Sequence, residues 1–125
     1  MNVQRATVRA PNGLLFICDR DSKDYPDVDG KGSFWRTPSM IALACEIDCE
    51  GPAEVVIGPM DRVSQPSAPL LDDVIETPSL LLTFELVPNT IVLETLVKGV
   101  TTRLRVWTNH PSQPDMIVIG LSEAA

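Results

Sequence analysis

The sequence predicts an all-β protein, an antiparallel β-sandwich of about eight to nine short strands, with a small β-barrel as the alternative. Three observations carry that reading. From Ile41 to Glu50, apolar Ile41, Leu43, Cys45, Ile47 and Cys49 alternate with Ala42, Ala44, Glu46, Asp48 and Glu50. A period of two places successive side chains on opposite faces of a strand, one toward a core and one toward water. Second, similar runs recur along the chain between turn signals, at a spacing suited to a sandwich. Third, no segment carries a convincing helical stripe, and 11 prolines and 7 glycines favour many turns over long helices. Parallel sheets would require crossover helices, so antiparallel pairing is expected.

Taken in order, Val3 to Arg9 alternates and is followed by Pro11-Asn12-Gly13 and the apolar run Leu14 to Cys18. Asn-Gly between two β-like runs signals a hairpin, because both residues tolerate positive φ. A polar loop spans Asp19 to Gly32, and Phe34-Trp35 begins a short strand broken at Thr37-Pro38. Ser39 to Cys49 is the next strand, stopped by Gly51-Pro52. Ala53 to Gly58 carries the β-branched run Val55-Val56-Ile57 and ends at Gly58-Pro59. Arg62 to Pro69 reads as a connection and Asp73 to Glu76 as a short strand.

In the C-terminal third, Ser79 to Val87 places Leu80, Leu82, Phe84 and Leu86 on one face. Pro88-Asn89 turns into Thr90 to Val97, and Lys98-Gly99 turns into Thr101 to Thr108. A loop at Asn109 to Pro114 precedes a last strand from Asp115 to Leu121. No internal repeat suggests a solenoid or propeller.

The 125 residues form a single domain, with 44% hydrophobic and 22% charged side chains. The formal charge of −7 repels phosphate backbones, so no nucleic-acid binding is expected. The same acidity can steer association with a basic protein. No apolar core segment follows Met1-Asn2-Val3-Gln4-Arg5, and no run approaches the ~18 apolar residues of a membrane span. Cys18, Cys45 and Cys49 are an odd number without a CxxC pair. Cys45 and Cys49 share the apolar parity of their strand and are expected to be buried, reduced and structural. A reducing cytoplasm suits them.

The candidates for chemistry are few, and no catalytic, cofactor or metal residue is assigned. Asp19, Asp21, Asp24, Asp27 and Asp29 resemble a calcium loop, but an EF-hand starting at Asp19 needs Gly and Glu where Asp24 and Gly30 stand. His110 lies in a loop without a nucleophile signature around it. Arg103, Arg105 and Trp107 share the outer parity of one strand, with Glu85 and Glu94 as the expected cross-strand partners. Gly30-Lys31-Gly32-Ser33 lacks the helix that a phosphate loop requires. Leu81, Val87, Val92 and Leu96 lie on the nominally outer parity of the 79–97 hairpin. Either residues 62–76 fold over them, or a homodimer forms through that sheet.

Val74-Ile75-Glu76, Pro78-Ser79, Thr102-Arg103-Leu104-Arg105-Val106-Trp107 and Asp115-Met116-Ile117-Val118-Ile119-Gly120-Leu121 resemble the C-terminal half of small bacterial β-sandwich proteins. These are of the competence protein J type, the DNA-entry nuclease inhibitors. The resemblance spans about residues 73–121. It departs at Lys98-Gly99-Val100-Thr101, where the relatives have Pro-Gly-x-Tyr, and at Leu121-Ser122, where they often have an aromatic and proline. No functional residue carries over. The resemblance implies a sandwich and an inhibitor or immunity-like role.

The expected function is therefore a non-enzymatic interaction protein, an acidic inhibitor or immunity-like partner of a basic protein such as a nuclease. The alternative is a small-ligand or calcium-dependent carbohydrate-binding sandwich using the Asp loop with exposed Trp35 or Trp107.

Overall fold

A computed structural model of the chain describes residues 2–87 and 90–123. Among the described residues, ten strands form two five-stranded sheets. One sheet has the order β1 (Gln4–Val8), β5 (Ala53–Pro59), β10 (Met116–Glu123), β9 (Thr101–Thr108), β6 (Leu71–Glu76). The other has the order β3 (Phe34–Thr37), β4 (Met40–Ala44), β2 (Leu14–Asp19), β7 (Leu81–Leu86), β8 (Thr90–Leu96). The sandwich expectation holds, with one departure: β10 pairs parallel to β5, while the other strand pairs are antiparallel.

The core lies between the sheets. Leu15, Ile17, Ile41, Leu43, Leu82 and Phe84 from one layer meet Val55, Ile57, Leu104, Val106, Ile117 and Ile119 from the other. These are the in-facing residues of each strand, and β-branched or bulky side chains dominate because they fill the space between stacked sheets.

Several strands are apolar on both parities because a second layer covers them. On the β1–β6 sheet, the four-residue helix α1 (Met60–Val63) rests against β5 and β10. Gly120 permits that approach: a Cβ there would stand 3.1 Å from Met60 Cα. On the β3–β8 sheet, Phe16, Cys18, Met40 and Ala42 form a smaller buried cluster with Leu14, Trp35 and Val87 around it. Tyr25 meets Phe16 edge-on at 5.5 Å. The Asp-rich segment is thus a cover for that face.

Three sequence expectations are corrected by the topology. The strand expected over residues 39–49 ends at Ala44, because the backbone then leaves the sheet for other partners. Cys45 N donates to Gly13 O, Glu46 N to Pro114 O, and Asp48 N to Ala10 O, before a 3-10 turn over Asp48–Glu50. Cys45 is buried as expected, but Cys49 falls on that turn and is exposed.

The Asn12-Gly13 turn forms, with Gly13 at φ 71°, yet it makes no hairpin. It carries the chain from one sheet to the other, and β1 pairs with β5 instead. Lys98-Gly99 likewise passes between layers, so β8 and β9 are not neighbours. The β7–β8 hairpin is as expected, with a bulge opposite Phe84 and Glu85; its turn at Pro88-Asn89 lies outside the described residues.

Leu80, expected on the apolar face of that hairpin, is instead exposed at φ 62° just before β7. Of the outer-parity residues, Val87 borders the second cluster and Val92 packs on the main core. Leu81 is half-buried, and only Leu96 stands open at 76% exposure. The expected cover over 62–76 lies elsewhere, with Val63 against the other sheet and Leu71 in the main core.

Candidate functional site

Carboxylates of the Asp loop are used to fasten the loop down. Asp19 is buried and accepts hydrogen bonds from Ser79 N at 2.9 Å, Ser79 Oγ at 2.6 Å and Asp21 N at 3.1 Å. Asp29 accepts from Lys31 N and Trp35 Nε1, both at 2.9 Å, and these donors hold its carboxyl below the usual range. Thr37 Oγ1 donates to Asp24 O at 2.8 Å. Among the described residues no three His, Cys, Asp or Glu side chains converge as a metal site would require.

Neither tryptophan is the exposed platform that carbohydrate stacking would use. Trp35 is half-buried and tied to Asp29. Trp107 is 6% exposed, with Nε1 donating to Ser67 O at 2.9 Å. The segment after α1 lies over it, a tertiary cover that strand parity cannot reveal.

The arginine stripe is a charge ladder, as cross-strand logic requires, but with another partner. Arg103 approaches Asp72 through Nε and Nη2 at 2.9 Å each, and Arg105 Nε lies 2.8 Å from the same carboxylate. The hydrogen bonds from Arg103, aided by Arg105, overcome partial desolvation and bring Asp72 down to about 2. Glu85 and Glu94 lie in the opposite sheet. Sequence could not place Asp72 here, since the strand was expected to begin one residue later and its neighbour was unknown. Glu85 instead accepts from Cys18 Sγ and Thr83 Oγ1, both at 2.9 Å.

His110 organises its own loop: Nδ1 accepts from Ser112 N at 3.2 Å and Gln113 N at 3.0 Å. The three thiols are free. Burial pushes Cys18 and Cys45 up to about 12, helped at Cys18 by Glu85. Both are inert packing residues at neutral pH.

Two regions at opposite ends of the sandwich remain available for recognition. At the end where β5 and β10 begin, the loops bring acids together. Glu46 N bonds Pro114 O, Glu54 N bonds Asp115 O, and Met116 stands beside Glu54. Glu50, Glu54 and Asp115 are exposed there, with Glu46 and Asp48 half-buried. Arg9 pairs with Asp48 at 3.2 Å. At the other end, a cleft of about 880 Å³ opens between β1 and β8. Its walls include Gln4, Thr95, Leu96, Thr102, Leu121 and Glu123.

No protein-family model matches the chain, and no curated protein matches it in sequence. Solved structures do share its architecture. ComJ from Bacillus subtilis, an inhibitor of the DNA-degrading activity of NucA, superposes with a TM-score of 0.70. The match covers 97% of this chain and 96% of that one at 10% identity. Crocagin biosynthetic gene J matches with a TM-score of 0.57 over 95% of this chain and 96% of that one, at 12% identity. The fold is that of ComJ. The likeness seen over residues 73–121 extends, as a fold, along nearly the whole chain.

Proposed function

We propose that this protein is a non-enzymatic binding protein that inhibits a basic protein, a DNA nuclease being the favoured target. The full-length fold likeness to ComJ carries the reading. The net charge of −7 suits it, and the acid-rich end with Glu50, Glu54 and Asp115 is the docking face. An acidic rim speeds encounter with a basic partner and selects against acidic ones. Three free thiols suit a reducing cytoplasm, and among the described residues no helix is long and apolar enough to cross a membrane.

The test is a DNA-degradation assay with purified basic nucleases, NucA among them, titrated with this protein. One of them should be inhibited at a fixed stoichiometry, with affinity falling as salt rises. Glu50→Lys with Glu54→Lys should weaken inhibition by about tenfold or more, while the melting temperature falls only by the loss of the exposed Thr7–Glu54 hydrogen bond. Full nuclease activity throughout, at micromolar inhibitor, would overturn the reading. Unchanged inhibition by the doubly reversed variant would move the docking face elsewhere.

A further inference from the structure

We infer that the cleft between β1 and β8 receives an extended peptide segment carrying a basic side chain, which adds as a strand to the edge of β8 at Glu94–Leu96. This inference does not rest on the inhibitor reading, because the cleft lies at the opposite end from the acidic face. Its first support is the contrast among sheet edges. β3 is only four residues long, and Arg36 reaches from it to Asp73 and to Val74 O, closing the edge of β6 as well. Edges of this kind are blunted by shortness and charge. β8 has seven residues, no proline and no basic residue, and Glu94 is its one charge. Among the described residues no hydrogen bond or ion pair ties β1 to residues 91–97.

The second support is the direction of the β8 backbone. Val97 N donates to Leu80 O at 3.0 Å, and the register pairs Leu81 with Leu96, Leu82 with Thr95 and Thr83 with Glu94. In an antiparallel ladder, hydrogen-bonded and non-hydrogen-bonded pairs alternate. Thr95 therefore bonds toward β7, and the N–H and C=O groups of Glu94 and Leu96 point to the open edge. The bulge lies below this stretch, between the pairs of Phe84 and Glu85, so residues 93–97 are regular. Of these, Glu94 to Val97 border the cleft.

The third support is chemical fit. Leu96 offers apolar contact, Thr95 bears a hydroxyl, and Gln4 Oε1 is buried in the wall with no hydrogen-bond partner among the described residues. Glu94 and Glu123 set the charge, against Lys98 alone. A strand guest gains main-chain hydrogen bonds from the edge and selectivity from alternate side chains. A guest arginine or lysine can lay its methylene stem on the apolar wall, with its charged end toward the two glutamates.

The probe is a fluorescein-labelled heptapeptide of alternating valine and threonine with one central arginine, read by polarisation against the full chain. Saturable binding is expected. The amides of Glu94 and Leu96 should exchange at least about tenfold more slowly with peptide bound, while that of Thr95 changes little. Leu96→Pro removes an edge donor without touching the β7 ladder and should weaken binding by about tenfold or more, as should Glu94→Lys. A peptide with central glutamate should bind worse to the natural chain and better to Glu94→Lys. No saturation, exchange slowed elsewhere but not at Glu94 and Leu96, or equal affinity for both peptides would each overturn the inference.

Discussion

The two seams of this sandwich, β3 against β6 and β1 against β8, are both made where edge strands of opposite layers face each other, yet one is fastened by hydrogen bonds and the other, where β1 and β8 also meet, opens into a cleft at one end. At the first, Arg36 bonds Asp73 and Val74 O, and Glu76 N donates to Pro38 O at 2.8 Å, so both sheet edges are held together. At the second, the layers part around a cleft, and Leu96 stands 76% exposed beside it. A sandwich of this size thus needs its core filled but not every edge sealed. An edge left unsealed is free for recognition.

Truncating one in-facing residue beside each seam should separate the two most strongly. Ile75 on β6 is 1% exposed and belongs to the main core, so Ile75→Ala should cost ~2–5 kcal/mol. Leu93 on β8 is only partly buried, and Leu93→Ala should cost roughly 1 kcal/mol. Equal shifts in urea midpoint would show that the β1–β8 side is as tightly built as the other.

A smaller effect is expected from the fastening itself. Arg36→Ala removes the tie to Asp73 and Val74 O, and both side chains are about a third exposed, so the loss should be ~1 kcal/mol or less. Its signature is local: amides of β3 and β6 should exchange faster while those of β8 do not change. Faster exchange across the whole chain would mean that Arg36 does more than hold one seam.

The smallest effect is pH-dependent and belongs to the neighbouring ladder. Asp72 is held at about 2 by Arg103 and Arg105, against about 3.9 in an unfolded chain. A depressed carboxyl contributes stability that is present above its unfolded value and is lost as pH falls toward its folded one. The natural protein should therefore lose up to ~1 kcal/mol between about pH 4 and pH 2 that Asp72→Asn does not lose. A carboxyl titration of Asp72 by NMR with a midpoint near 4 would contradict the ladder.

Legibility in the sequence followed the range of the forces involved. The period-two pattern from Ile41 to Leu43 and from Leu82 to Leu86 was readable because alternation is a property of one strand. The turn at Asn12-Gly13 was readable for the same local reason. Its hairpin was not, because whether two strands pair depends on where the second sheet begins. The fate of Cys49 shows the same limit: its parity matched Cys45, but loop carbonyls at Ala10, Gly13 and Pro114 drew the backbone out of the sheet first.

An all-β chain of short strands, a net negative charge and the alternating residues that fill the core follow from the residues alone, because they depend on local backbone geometry and composition. Three features came from the packing of the two sheets: the Asp loop covers one face, fastened by Asp19 and Asp29, Asp72 rather than Glu85 or Glu94 meets the arginines, and the β8 edge borders a cleft. Each of those outcomes depends on which strands become neighbours. Strand order is set by contacts between residues far apart in the chain, and no short stretch of sequence contains both partners.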